Sequence, residues 1–159
     1  MGDRPKKGGI AVKKDVGRWL LPALIGLTTL GIWGLSLRSA GDSSAQSNAL
    51  ALPLAGAAEA KGEWLSILMM IVRKLAHFGE FAVLGLLWSL YGQRRPLRLA
   101  WLYGLPVAVI DELLQYLAPG RAPGFWDAAL DYCGYFCGFA LVLAVLEWRR
   151  NRKNRKVEK

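Results

Sequence analysis

Ten residues able to hold charge, bind a ligand or move a proton sit at the ends of long apolar segments. Arg73, Lys74, His77 and Glu80 open one such segment. Asp111, Glu112 and Gln115 close the next. Arg121, Asp127 and Asp131 occupy the turn and the first helical turns that follow. Ionisable side chains in hydrocarbon are costly, so a group of them marks a site that binds or reacts with something. Two kinds of chemistry are open to these types. Arginine and lysine hold anionic oxygens, arginine through a planar two-pronged fork. Histidine and carboxylates move protons, and several carboxylates together hold a hard divalent cation.

Spacing groups them further. Arg73, His77 and Glu80 follow i, i+4, i+7 and form one helical stripe, with Lys74 beside it. Asp111 and Gln115 share a face, and Glu112 reaches Gln115 at i+3. Asp127 and Asp131 share a face that continues through Gly134 and Gly138. Small residues at that GxxxG spacing let a second helix approach closely, so the acidic face of the last apolar segment is predicted to turn into a bundle. Five carboxylates then crowd against three cations and one histidine. Crowded carboxylates repel, so some must be protonated or bridged by a cation. Arg73, Lys74, Arg121 or a bound metal would supply that charge.

The candidates for proton transfer are His77, Glu80, Asp111 and Glu112. The candidates for ligand binding are Arg73, Lys74, Gln115, Arg121, Asp127 and Asp131. A divalent cation would fall to Asp111, Glu112 and Asp127. The plainer reading is an ion-pair clamp, Arg73 with Glu80 or Arg121 with Asp127, whose rupture would leave a buried charge. Five acids against three cations exceed what a clamp needs. No HExxH spacing, Walker loop or nucleophile elbow appears, and Ser66 and Ser89 have no supporting pattern.

The elements that carry these residues read as membrane spans. The chain has 159 residues, about half of them apolar, with 21 Lys and Arg against 12 Asp and Glu. Most of the bases fall in three places: Arg4 to Arg18, Arg94 to Arg98, and Arg149 to Lys159. Each abuts an apolar segment of about the ~20 residues that cross a bilayer. The positive-inside rule accounts for all three together, and argues against nucleic acid as the partner.

The predicted fold is all-α: a polytopic bundle of four transmembrane helices with both termini cytoplasmic. Residues 1–18 form a disordered basic N-terminus and residues 19–148 the membrane domain. Its spans are about 19–37, 75–91, 97–117 and 125–148, with an extracytoplasmic loop over 38–63. Residues 149–159 are a basic tail. Pro22 falls in the first turn of its span, and Pro106 is placed as a kink. Trp64 to Val72 reads as an interfacial helix or a tilted entrance to the second span, and the short apolar run Ala49 to Ala58 as an interfacial segment or lid. Ser43-Ser44-Ala45 is a candidate cleavage site, although the first apolar run is longer than a signal peptide requires. Cys133 and Cys137, one turn apart inside the last span, read as small packing residues. On this topology Glu80, Asp111 and Asp131 each lie within ~10 Å of the outer boundary, at ~1.5 Å per residue.

The blocks resemble a known family. Arg73-Lys74-Leu75-Ala76-His77-Phe78-Gly79-Glu80-Phe81 is similar to the RKxxHFxEY signature of VanZ-like membrane proteins. Asp111-Glu112-Leu113-Leu114-Gln115, then Pro119-Gly120-Arg121, then Asp127, resembles that family's DExxQ…PGR…D segment. Phe81 stands where a tyrosine is common, and Asp131 where asparagine is frequent. The resemblance covers about Trp19 to Trp148. It implies a multi-pass protein of the bacterial cytoplasmic membrane with a cell-envelope role, linked to low-level resistance to teicoplanin, a lipoglycopeptide.

Two functions of different class follow. One is a binding module for an anionic envelope lipid or lipid-linked cell-wall precursor, with Arg73, Lys74 and Arg121 on the anionic group and an apolar groove for the chain. The other is a metal-assisted membrane hydrolase or transferase acting on a phosphate-bearing lipid. A coupled transporter is a third, but no internal repeat of the transporter kind is visible.

Overall fold

A computed structural model of the chain describes residues 9–37, 63–94, 99–118 and 124–157. These form four α-helices: α1 Gly9–Ser36, α2 Glu63–Arg94, α3 Gly104–Leu117 and α4 Phe125–Val157, with a 3-10 turn at Ala100–Leu102 ahead of α3. The all-α expectation holds.

Several boundaries differ from the sequence reading, each for a local reason. α2 is one continuous helix of 32 residues, so Trp64 to Val72 is the start of that helix and not a separate interfacial one. No proline interrupts it, and Arg73 and Lys74 have stems long enough to carry their charge outward without breaking the backbone. α3 begins at Gly104, so Pro106 lies in its first turn, where no N–H is needed, and it is not a kink. Pro22 falls in the interior of α1, because that helix starts at Gly9; residues 9–18, expected to be disordered, are helical. α4 runs on through the basic tail to Val157.

Among the described residues two helices have the length and apolar character to cross a membrane. They are the Trp19–Ser36 part of α1, with mean hydropathy 1.5, and Phe125–Lys156 in α4, with a window of mean hydropathy 1.8. α2 is long enough, but Arg73, Lys74, His77 and Glu80 lower its hydropathy. α3 has 14 residues, or ~21 Å at the helical rise, against a hydrocarbon layer of ~30 Å. Large apolar side chains face outward on every helix, Leu27 and Leu30 on α1, Leu75 and Val83 on α2, Leu113 on α3 and Leu141 on α4. That outward apolar surface suits lipid better than water.

The bundle is held by a seam of glycines. A Cβ at Gly134 would run into the backbone of Phe78, and one at Gly138 into the carbonyl of Ala82. Gly85 on α2 meets the backbone of Tyr135 in the same way. Glycine at these three positions is what lets α2 and α4 touch backbone to backbone. Cys133 and Cys137 are exposed on the outer face of α4, so they are not packing residues of the interior. α1 packs on α2 and α3, and its Ile25 and Ile32 join Phe81, Leu84, Ala108 and Tyr135 in the core. The Tyr135 ring covers Gly104, and its phenol donates to the Ala100 carbonyl at 2.5 Å. The Trp33 indole donates to the Val107 carbonyl at 3.3 Å, tying α1 to α3.

Candidate functional site

The bundle gathers its ionisable residues at one end of the α2–α4 seam. α3 contributes Asp111, which is fully buried. Its Oδ1 accepts from the Ser36 hydroxyl of α1 at 2.7 Å, and its Oδ2 from Gln115 Nε2, one turn along, at 2.9 Å. Each carboxylate oxygen thus has a neutral donor, as a buried acceptor requires. Glu112, the next residue, turns elsewhere. Its Oε2 accepts the Gly124 backbone N–H at 3.0 Å, directly before α4 begins. A carboxylate there meets the positive end of the α4 dipole and caps it.

α2 contributes His77 and Glu80, one turn apart. His77 Nδ1 stands 3.6 Å from Glu80 Oε2, too far for a hydrogen bond. Both atoms are buried and unpartnered among the described residues. Asp131 of α4 is 2% exposed, and its Oδ2 is likewise buried without a partner. His77 lies within electrostatic reach of Asp131, Glu80 and Asp111, and Asp131 within reach of His77, Asp111, Glu112 and Asp127. Three helices therefore bring His77, Glu80, Asp111 and Asp131 together, as the i, i+4, i+7 stripe and the seam spacing predict.

At the rim, Lys74 Nζ bonds Asp127 Oδ1 and links α2 to the first turn of α4. Lys74 is thereby engaged with a carboxylate of the protein itself. Arg73 is half-buried and makes no hydrogen bond or ion pair with the described residues, so the expected Arg73–Glu80 clamp is not formed. Arg121 lies outside the described residues, as do the candidate cleavage site at Ser43-Ser44-Ala45 and the segment Ala49 to Ala58.

The carboxylates do not fit the expected metal set. Among the described residues no three His, Cys, Asp or Glu side chains are grouped closely enough to hold a metal ion. Asp111 is occupied by Ser36 and Gln115, Glu112 by Gly124, and Asp127 by Lys74. The three point to separate partners and do not converge on one point.

Beside the cluster, α1 and α2 leave a groove of about 260 Å³. Thr28, Gly31, Ile32, Leu35 and Val83 make its wall, and Glu80 is its one ionisable residue. One edge of the groove is thus shared with the buried cluster.

Residues 23–146 match the family model for VanZ/LLP1, which takes in half of α1 and all of α2, α3 and the apolar part of α4. The chain belongs to the VanZ/LLP1 family. No curated protein and no solved structure matches it. Within the matched part of this VanZ/LLP1 chain lie all ten residues singled out by type and spacing, together with Ser36, which sequence reasoning missed. A serine at the end of an apolar span reads as a boundary residue. Only the rotation of α1 against α3 shows that it faces Asp111. The capping role of Glu112 was also hidden, because its partner is a backbone N–H across a turn. The two apolar helices and the family together point to a membrane protein.

Proposed function

We propose that this VanZ/LLP1 protein is a four-span protein of the bacterial cytoplasmic membrane, both termini inside, that binds or handles an envelope lipid or lipid-linked cell-wall precursor bearing an anionic group. The carrying observation is an apolar groove whose wall includes Glu80, a member of the buried polar cluster. That layout suits an amphiphile: apolar wall for the chain, a few placed polar groups for the head. Arg73 and Arg121 take the anionic oxygens, since Lys74 is engaged with Asp127. The three basic stretches flanking the helices support cytoplasmic termini, which places the cluster in the outer leaflet. A lipoglycopeptide such as teicoplanin carries both an acyl chain and anionic groups, and competes for such a surface.

The test is retention of phosphatidylglycerol by the purified full chain through detergent exchange. Wild type retains the lipid, and Arg73→Ala combined with Arg121→Ala lowers retention about tenfold, as loss of charge-assisted bonds requires. Equal retention by the two proteins removes the anion-binding reading.

A catalytic reading has one observation in its favour. His77 Nδ1 and Glu80 Oε2 are buried, adjacent and unpartnered, an arrangement open to proton transfer with a bound substrate. It rests on His77 and Glu80 without a metal, given the separate partners of Asp111, Glu112 and Asp127. Lipid analysis of membranes carrying wild type or His77→Ala decides it: catalysis predicts a lipid species that appears only with wild type, and identical profiles reject it.

A further inference from the structure

α4 does not stop where its apolar segment stops. The part from Phe125 to Trp148 is ~36 Å long at the helical rise, enough for a hydrocarbon layer of ~30 Å, and the helix then continues to Val157. That extension carries Arg149, Arg150, Arg152, Lys153, Arg155 and Lys156, every one of them exposed, and no acid. Charge that only sets the orientation of a span needs number, not arrangement. The pull of the helix C-terminus reaches only the last turn, with Arg155 and Lys156. Here the charge is arranged. Arg149, Arg152, Lys153 and Lys156 follow i, i+3, i+4, i+7 and form one stripe, while Glu147, Asn151 and Asn154 form the opposite one. Like charges one turn apart repel, so a bare stripe works against its own helix. A second observation gives the stripe a direction. In a helix the side chains lean toward the N-terminus. α4 leaves its apolar segment by the C-terminal end, so its basic side chains lean back toward that segment. Arg152 does so: its Cζ lies 5.2 Å from the ring centroid of Trp148, one turn nearer the apolar part. Trp148 is itself 59% exposed, at a boundary of the kind where indoles sit at headgroup level.

We propose that the extension of α4 beyond Trp148 holds the headgroup of an anionic phospholipid, with the stripe Arg149–Arg152–Lys153–Lys156 on its oxygens. The site lies at the other end of α4 from Asp131, 18 residues or ~27 Å away, and so is separate from the buried cluster. It rests only on α4 crossing a membrane. The extension has no apolar stripe, so it does not lie in the interface as an amphipathic helix does. It stands as a rod whose farthest cation, Lys156, is ~12 Å past Trp148. Long stems that lean backward bring the charges within a Debye length, ~8–10 Å, of the headgroups, where an anionic surface attracts them. An acidic protein segment would match the charge of the stripe, but would gain nothing from side chains turned back toward the bilayer.

The test titrates phosphatidylglycerol or phosphatidylcholine of identical acyl chains into the full chain in neutral detergent and counts bound lipid by native mass spectrometry. Two double variants are compared, each removing two charges at the same mean height on the helix. Arg149→Gln with Lys156→Gln lies on the stripe, and Arg150→Gln with Arg155→Gln lies off it. All four positions are exposed and glutamine keeps the helix propensity, so the fold is retained. The comparison is made in wild type and in Arg73→Ala combined with Arg121→Ala, which removes the anion site proposed at the cluster. Wild type prefers the glycerol lipid, and the preference shrinks as salt rises. The stripe pair weakens binding of that lipid about thirtyfold, roughly fivefold per cation, in both backgrounds, and leaves the choline lipid unchanged. The off-stripe pair weakens it at most about fivefold. No preference in wild type overturns the anionic lipid as the occupant and turns the stripe toward an acidic protein segment. Undiminished preference in the stripe pair overturns the extension as the site, and equal losses in the two pairs overturn the stripe. An effect of the stripe pair that vanishes in the Arg73→Ala, Arg121→Ala background overturns the separation of the two sites.

Discussion

At the scale of single residues, the cluster divides into groups that are satisfied and groups that are not. Asp111 is satisfied on both oxygens, by Ser36 and Gln115. His77 Nδ1, Glu80 Oε2 and Asp131 Oδ2 are buried and unpartnered among the described residues. Buried polar atoms are nearly always hydrogen-bonded, so the second group is where a ligand would act and the first is where the fold is held. Ser36→Ala tests the first statement. It leaves Asp111 Oδ1 buried without a donor, at a cost of about 1–3 kcal/mol, read as a lower midpoint of thermal unfolding in micelles. Loss of lipid retention with no loss of stability in that variant would assign Ser36 to the site instead. The stripe Arg73–His77–Glu80 was legible from spacing alone, because helical periodicity needs no knowledge of neighbours. Ser36 was not legible, since its partner lies 75 residues away and on another helix.

Among the elements, the α2–α4 seam controls the geometry of the site. Gly134 and Gly138 continue the face of Asp131 on α4 and meet Phe78 and Ala82 of α2, so the contact that joins the helices also turns Asp131 into the bundle. Gly138→Leu forces a side chain into the Ala82 carbonyl. Overpacking costs about 1–3 kcal/mol even against movable side chains, and here the obstacle is backbone, so the variant should lose the compact monomer on size exclusion. Gly26→Ala is the control: nothing lies within 4 Å of the added methyl, and stability should stay within about 0.5 kcal/mol. A Gly138→Leu protein that unfolds like wild type would show that the seam does not hold the bundle. The seam was legible because GxxxG continues the face of Asp127 and Asp131. The unbroken course of α2 was not, since two adjacent bases read as an interruption although their stems follow the helix outward. Cys133 and Cys137 show the same limit: their spacing gives a face, and only packing tells which way the face points.

For the whole molecule, four crossings with both ends inside is the reading that the charge distribution favours. Two helices meet the demands of length and hydropathy on their own. In that reading the other two, α2 with its polar stripe and the 14-residue α3, would cross in the company of their neighbours. Reporter fusions at Met1 and after Lys159 should both report the cytoplasm, and fusions on opposite sides would end the four-crossing topology. The all-α class and the order of the described helices were legible in the sequence, because long apolar runs are properties of the chain itself. Helix ends were less so, because propensity continues α1 and α4 through polar sequence where composition alone predicts a coil.

The Ser36–Asp111 bond also orders events during synthesis. Ser36 leaves the ribosome 75 residues before its acceptor, roughly 4–15 s at ~5–20 residues per second. Throughout that interval the Ser36 hydroxyl and the Trp33 indole lack the acceptors they hold in the folded protein. Tyr135, which closes over Gly104, comes later still. The contacts that fix α1 against α3, and the ring that closes over Gly104, therefore form only after most of the chain has been made.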